Sequence, residues 1–97
     1  MKIYISGPIT GIEDYKEKFE DAEKRVLSIH PNAEIINPAK INLPELCTWD
    51  DYMVICLYLL DRADCIYMTR GWKKSPGACV EYGYAMASGM IIEGTAE

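Results

Sequence analysis

Four apolar stretches, each three to five residues long, alternate along this chain with three patterns of helical period, and that alternation restricts the fold more than any other feature. Lys2–Ser6 alternates and carries β-branched Ile3 and Ile5; Glu34–Ile36, Cys65–Met68 and residues 90–92 follow it. Each stretch is separated from the next by a helical segment, the connection that parallel neighbours require. Strands this short predict a small parallel sheet covered by helices on both faces. Right-handed crossovers give the strand order 2-1-3-4. The expected architecture is therefore α/β, a three-layer sandwich in one domain spanning residues 1–97.

The helical segments carry their own start and stop signals. Thr10 and Glu13 have the spacing of a capping box and predict the start of the first helix, in which Tyr15, Phe19, Ala22, Val26 and Ile29 recur on one face. The only histidine, His30, closes this helix before Pro31, and no catalytic role is expected of it. Thr48 and Asp51 form a second capping box, opening a helix that runs to about Asp61. Its run over residues 53–60 is apolar nearly all round, which predicts burial on more than one side and hence a homodimer or higher homo-oligomer with this helix at the interface, the alternative being that the loop of residues 37–47 covers it. The intervening loop, residues 37–47, is expected to wrap over the sheet edge and cover a pocket. Ser75 is a suitable N-cap for the third helix and Pro76 suits its first position; Gly89 ends it.

Composition narrows the function classes. Ten basic residues against fifteen acidic ones give a formal charge of −5, with no basic stripe, so a polymeric nucleic-acid partner is not expected. A single nucleotide remains compatible. Cysteines 47, 56, 65 and 79 contain no C-x-x-C pair and read as reduced core residues; no metal or cofactor is expected. Residues 1–8 lack the apolar block of a signal peptide and no run approaches the roughly 18 residues of a membrane span, so the expectation is a cytoplasmic protein with no membrane partner.

In an open α/β sheet the ligand crevice lies beyond the carboxyl ends of the strands, beside helix N-termini that attract anions. Gly77 and Glu81 are four residues apart on one face of the third helix, which places a carboxylate over a surface without side-chain bulk and leaves room for a ligand. Glu81 then faces the pocket, the alternative being a solvated helix glutamate. The turn Gly7-Pro8-Ile9-Thr10-Gly11 reads either as a phosphate or sugar-hydroxyl loop or as a purely structural bend. Trp72 has two readings as well: stacking on a base, or packing over the helix start.

Strand one running into Ser6-Gly7-Pro8-Ile9-Thr10-Gly11, Ala63-Asp64 leading another strand, and Ser75-x-Gly77-x-x-x-Glu81 with Gly83, Ala85 and Gly89 downstream resemble the nucleoside 2-deoxyribosyltransferase superfamily, most of all its small bacterial and phage members. The resemblance implies a flavodoxin-like or Rossmann-like fold and N-glycosidic chemistry on a small-molecule nucleotide or nucleoside. It implies that Glu81 attacks the anomeric carbon, forming a glycosyl-enzyme intermediate resolved by water or another base. The loop from Gly7 to Gly11 would hold the sugar and its 5′ end. Serine at position 75, where the transferases have aspartate, implies a hydrogen bond to phosphate and a nucleotide rather than a nucleoside. One position departs from the pattern. The aspartate that assists protonation of the leaving base stands eight residues before the one matching Asp64, and here that residue is Cys56. A thiol is a poor replacement for it.

Two functions follow. The first is cleavage or transfer of an N-glycosidic bond through Glu81. The second is a catalytically inactive nucleotide-binding protein that senses or sequesters its ligand.

Overall fold

A computed structural model describes residues 1–95. The elements in chain order are β1 (Lys2–Ser6), α1 (Tyr15–Ile29), β2 (Glu34–Ile36), a 3-10 turn (Pro38–Lys40), α2 (Trp49–Asp61), β3 (Cys65–Met68), a second 3-10 turn (Trp72–Lys74), α3 (Pro76–Ala87) and β4 (Ile91–Gly94). All strand pairs are parallel and the order is β2-β1-β3-β4, as expected. Tyr4 is level with Ile36 on one side and Ile66 on the other, and Ile66 with Ile92.

The period of two in β1 and β3 divides the core into two layers. Ile3, Ile5, Cys65 and Tyr67 face α1 and pack with Phe19, Ala22 and Val26. Tyr4, Ile66 and Met68 face the other way, against Cys56 and Leu60 of α2 and Ala78 and Ala85 of α3. Helices therefore cover both faces. The loop after β2 is pinned at its start: the Asn37 side chain accepts from the Ala39 N–H and donates to Glu23, while the Tyr52 hydroxyl donates to the Pro38 carbonyl at 3.0 Å.

Two local expectations need correction, the start of the first helix and the extent of the last strand. The first helix begins at Tyr15, not after Thr10, because Gly11 has φ +77° and a left-handed residue there breaks the first turn that a Thr10–Glu13 box would cap. The Thr48–Asp51 box does form, with both reciprocal bonds, yet α2 buries only Met53, Cys56 and Leu60; Val54 and Tyr58 on the opposite side are 69% and 63% exposed. The last strand includes Glu93 and Gly94, paired with Tyr67 and Met68, so it starts one residue later and runs further than residues 90–92. Glu93 accepts a 2.9 Å contact from the ring of His30, which tethers the end of α1 to the edge strand. The sequence from Glu93 to Glu97 reads as a polar tail, of which residues 96 and 97 lie outside the described residues. Among the described residues no helix is long and apolar enough to cross a membrane.

Candidate functional site

A cavity of about 760 Å³ opens beyond the carboxyl ends of β1 and β3. Here the chain leaves β1 towards one edge of the sheet and β3 towards the other, the position at which an open α/β sheet forms a crevice. Its walls are the loop after β1 (Gly7, Pro8, Ile9, Thr10), the loop after β2 from Pro38 to Cys47, the inner face of α2 and the start of α3.

Glu81 lies at the bottom of this cavity, 5% exposed. Each of its carboxylate oxygens receives a hydroxyl: Tyr4 Oη donates to Oε2 at 2.5 Å and Ser6 Oγ to Oε1 at 2.6 Å. Tyr4 and Ser6 are two apart on β1, so the pleat directs both to the α3 side of the sheet. Burial pushes the Glu81 carboxyl above its ordinary range, and the Ser6 and Tyr4 hydrogen bonds pull it partly back by favouring the charged form. Tyr4 itself is pushed far up, first by burial and then by the neighbouring Glu81 charge, so it remains a donor. The result is a carboxylate held in one orientation with a face towards an open cavity.

Ser75 lines the cavity as well, and its Oγ accepts the Ala78 N–H at 3.2 Å, which leaves its own O–H proton to donate. Gly77 also lines it, but for a different reason from the expected bare surface. A Cβ there would lie 3.2 Å from Met53 Sδ and 3.9 Å from Trp49, so the glycine admits α2 side chains against the start of α3. Gly7 is a tighter constraint, since a Cβ would stand 1.8 Å from Thr69 Oγ1 where the loops after β1 and β3 meet. Gly11 is outside the lining, as is Ser6, which acts only through Glu81.

Trp72 requires correction. It is 8% exposed, stacks on Tyr82 at a centroid distance of 4.5 Å and donates its indole N–H to the Thr95 carbonyl, so its ring is committed to packing and does not line the cavity. The aromatic lining comes instead from Trp49 and Tyr52 of α2 and Tyr15 of α1. Trp49, Tyr52, Met53 and Cys56 follow i, i+3, i+4, i+7 spacing, a signal for one helix face that was present in the sequence. Tyr4 was hidden by its place among the isoleucines of β1, where an apolar core role is the obvious one. Three cations, Lys18, Arg70 and Lys74, stand around the same cavity. The aspartates of α2 do not reach it: Asp51 is bonded to the Thr48 N–H, Asp61 accepts from the Tyr84 hydroxyl, and Asp50 is exposed.

No curated protein matches the chain. A family model described as a domain of unknown function, DUF4406, matches residues 1–93. Among solved structures, a 2-desoxiribosyltransferase from Leishmania mexicana is similar with a TM-score of 0.67 at 20% identity, over 96% of this chain and 62% of that one. This chain thus spans less than two thirds of that enzyme's length, and a likeness at this identity is one of fold.

Proposed function

This chain belongs to the DUF4406 family, and from that premise and the seat of Glu81 we propose that it cleaves the N-glycosidic bond of a nucleotide, passing the glycosyl group to water or to a second base through Glu81. The observation that carries this reading is a buried carboxylate oriented by two hydroxyl donors at the bottom of a cavity large enough for a nucleotide. The C1′ carbon is attacked by a carboxylate oxygen of Glu81, an ester to the enzyme forms, and the C1′–N bond breaks. Water or an acceptor base then displaces the carboxylate. Tyr4 and Ser6 position the nucleophile and keep it from rotating away.

The rest of the cavity suits the remaining parts of such a substrate. The free O–H of Ser75, the Gly77 N–H in the first turn of α3 and the cations Lys18, Arg70 and Lys74 form a surface complementary to a 5′-phosphate. Gly7, Pro8, Ile9 and Thr10 border the sugar, and Trp49 and Tyr52 offer faces to the base. Four free cysteines suit the reducing cytoplasm. The exposed Val54 and Tyr58 of α2 suit a homodimer interface.

A second reading, nucleotide binding without turnover, is favoured by Cys56 lining the cavity where an acid would serve the leaving base. Incubating the protein with nucleoside 5′-monophosphates and free nucleosides, with Glu81→Gln beside it, separates the two. Free base appearing only with the unmodified protein, at least a thousandfold above the variant, supports the glycosidase. A thermal shift from a nucleotide with no base released supports the binder.

A further inference from the structure

We propose that the base released at this site is positively charged in the intact glycoside, so that the substrate is a cationic N-glycoside 5′-phosphate such as a pyridinium or ring-alkylated purine nucleotide. The inference rests on the reading of Glu81 as nucleophile. When a neutral nucleobase leaves, the electron pair of the C1′–N bond makes it an anion, and a nearby acid has to supply a proton. A cationic ring needs none, because the same electron pair cancels its charge.

The acidic groups that β1 and α2 could offer a leaving base are already committed, and the Ser75 O–H, an ordinary alcohol, is too weak an acid to protonate one. The Tyr4 and Ser6 hydroxyls both point at Glu81, and the Tyr52 hydroxyl points at the Pro38 carbonyl. Asp51 and Asp61 are bonded elsewhere and outside the lining. Cys56 is 1% exposed, and burial pushes its thiol up, so it keeps its proton. Glu45, on the exposed loop, is the one further carboxylate among the described lining residues. What α2 supplies instead is the indole of Trp49, the phenol ring of Tyr52 and the thioether of Met53, flat and polarisable surfaces that attract a cationic ring. The rim cations meet the phosphate, whose two negative charges leave the whole substrate an anion.

The step balances without a further reactant. Glu81 Oε forms a bond to C1′ while the C1′–N pair passes to the ring and leaves it neutral. Water then attacks C1′, the carboxylate departs, and the proton lost by water goes to solvent.

The test compares nicotinamide mononucleotide and N7-methylguanosine 5′-monophosphate with AMP and GMP, following released base by chromatography with mass detection from pH 6 to 9. The expected result is release from the two cationic probes at pH 6 at least a hundredfold above the Glu81→Gln control, with no falling limb between pH 7 and 9 for nicotinamide mononucleotide, whose ring stays cationic throughout, and release from AMP and GMP at the control level. Cys56→Asp, which sets a carboxyl on the same wall, is expected to raise AMP cleavage tenfold or more. Comparable release from AMP or GMP by the unmodified protein overturns this inference and leaves the Glu81 reading standing. If Glu45→Gln then abolishes that release, Glu45 is the acid and the inference is equally overturned. No base from any probe overturns the nucleophile reading itself, and this inference with it.

Discussion

At the residue scale, the behaviour of Glu81 depends on two opposed effects, burial that disfavours its charge and two hydroxyl donors that favour it. A nucleophilic carboxylate works only when ionised, so kcat/KM is expected to rise with pH through a limb lying above the ordinary glutamate value of about 4.3. Tyr4→Phe removes one donor and leaves burial less opposed. A hydrogen bond to a charged group is worth about 1.5–3 kcal/mol, so that limb should move up by roughly one to two pH units; a limb that stays in place would deny Tyr4 its role. Stability carries the same signature. Because the native carboxyl binds its proton more tightly than the unfolded one, Glu81 favours folding below the unfolded pKa, and that contribution is lost as pH rises through the native one. Glu81→Gln is therefore expected to melt above the parent at pH 8, by about 4 °C or more if 1 kcal/mol is recovered, with the gap narrowing towards pH 5. A gap that widens on acidification would contradict the raised pKa.

At the element scale, α2 does two jobs with two faces. Its N-terminal turn carries Trp49, Tyr52 and Met53 to the cavity and is held by the reciprocal Thr48–Asp51 bonds. Thr48→Ala should cost about 1 kcal/mol, a loss of about 4–8 °C in Tm for a domain of this size, and should weaken nucleotide binding as the turn frays. Calorimetry and titration read both; a lower Tm with unchanged affinity would separate the cap from the cavity wall. The outer face, with Val54 and Tyr58 exposed, belongs to the proposed dimer. Val54→Glu is expected to halve the mass measured by light scattering while leaving the far-ultraviolet circular dichroism intact. An unchanged mass would remove this face from any interface.

At the scale of the whole molecule, a chain of net charge −5 gathers Lys18, Arg70 and Lys74 around one cavity. Against the two carboxylates of the same lining, Glu45 and Glu81, these three cations leave a local excess of positive charge that would steer the proposed nucleotide against the overall repulsion and would be screened by salt, whose Debye length is about 10 Å at 0.1 M. Raising salt from about 0.05 to 0.5 M should lower kcat/KM for a nucleotide severalfold and leave that for the matching nucleoside nearly unchanged. Lys74→Ala should raise the nucleotide KM about tenfold, equivalent to roughly 1.4 kcal/mol, again sparing the nucleoside. Equal salt dependence for both would argue against a phosphate at the rim.

The order of strands and helices, the sheet order, and the caps at Thr48 and Ser75 were legible in the sequence because each rests on short-range periodicity or on capping contacts three residues long. The same local reading placed Glu81 on the third helix at the carboxyl end of the sheet. It had no access to contacts between distant segments. Tyr4 meets Glu81 across 77 positions, a pairing created only when β1 and α3 pack together. Trp72 was captured by Tyr82 and Thr95 rather than by the cavity, and Met53 filled the space over Gly77. Tertiary structure decided these because an aromatic ring, a thioether or a hydroxyl is compatible with several partners, and only the packed geometry selects the one that excludes water and satisfies its polar end.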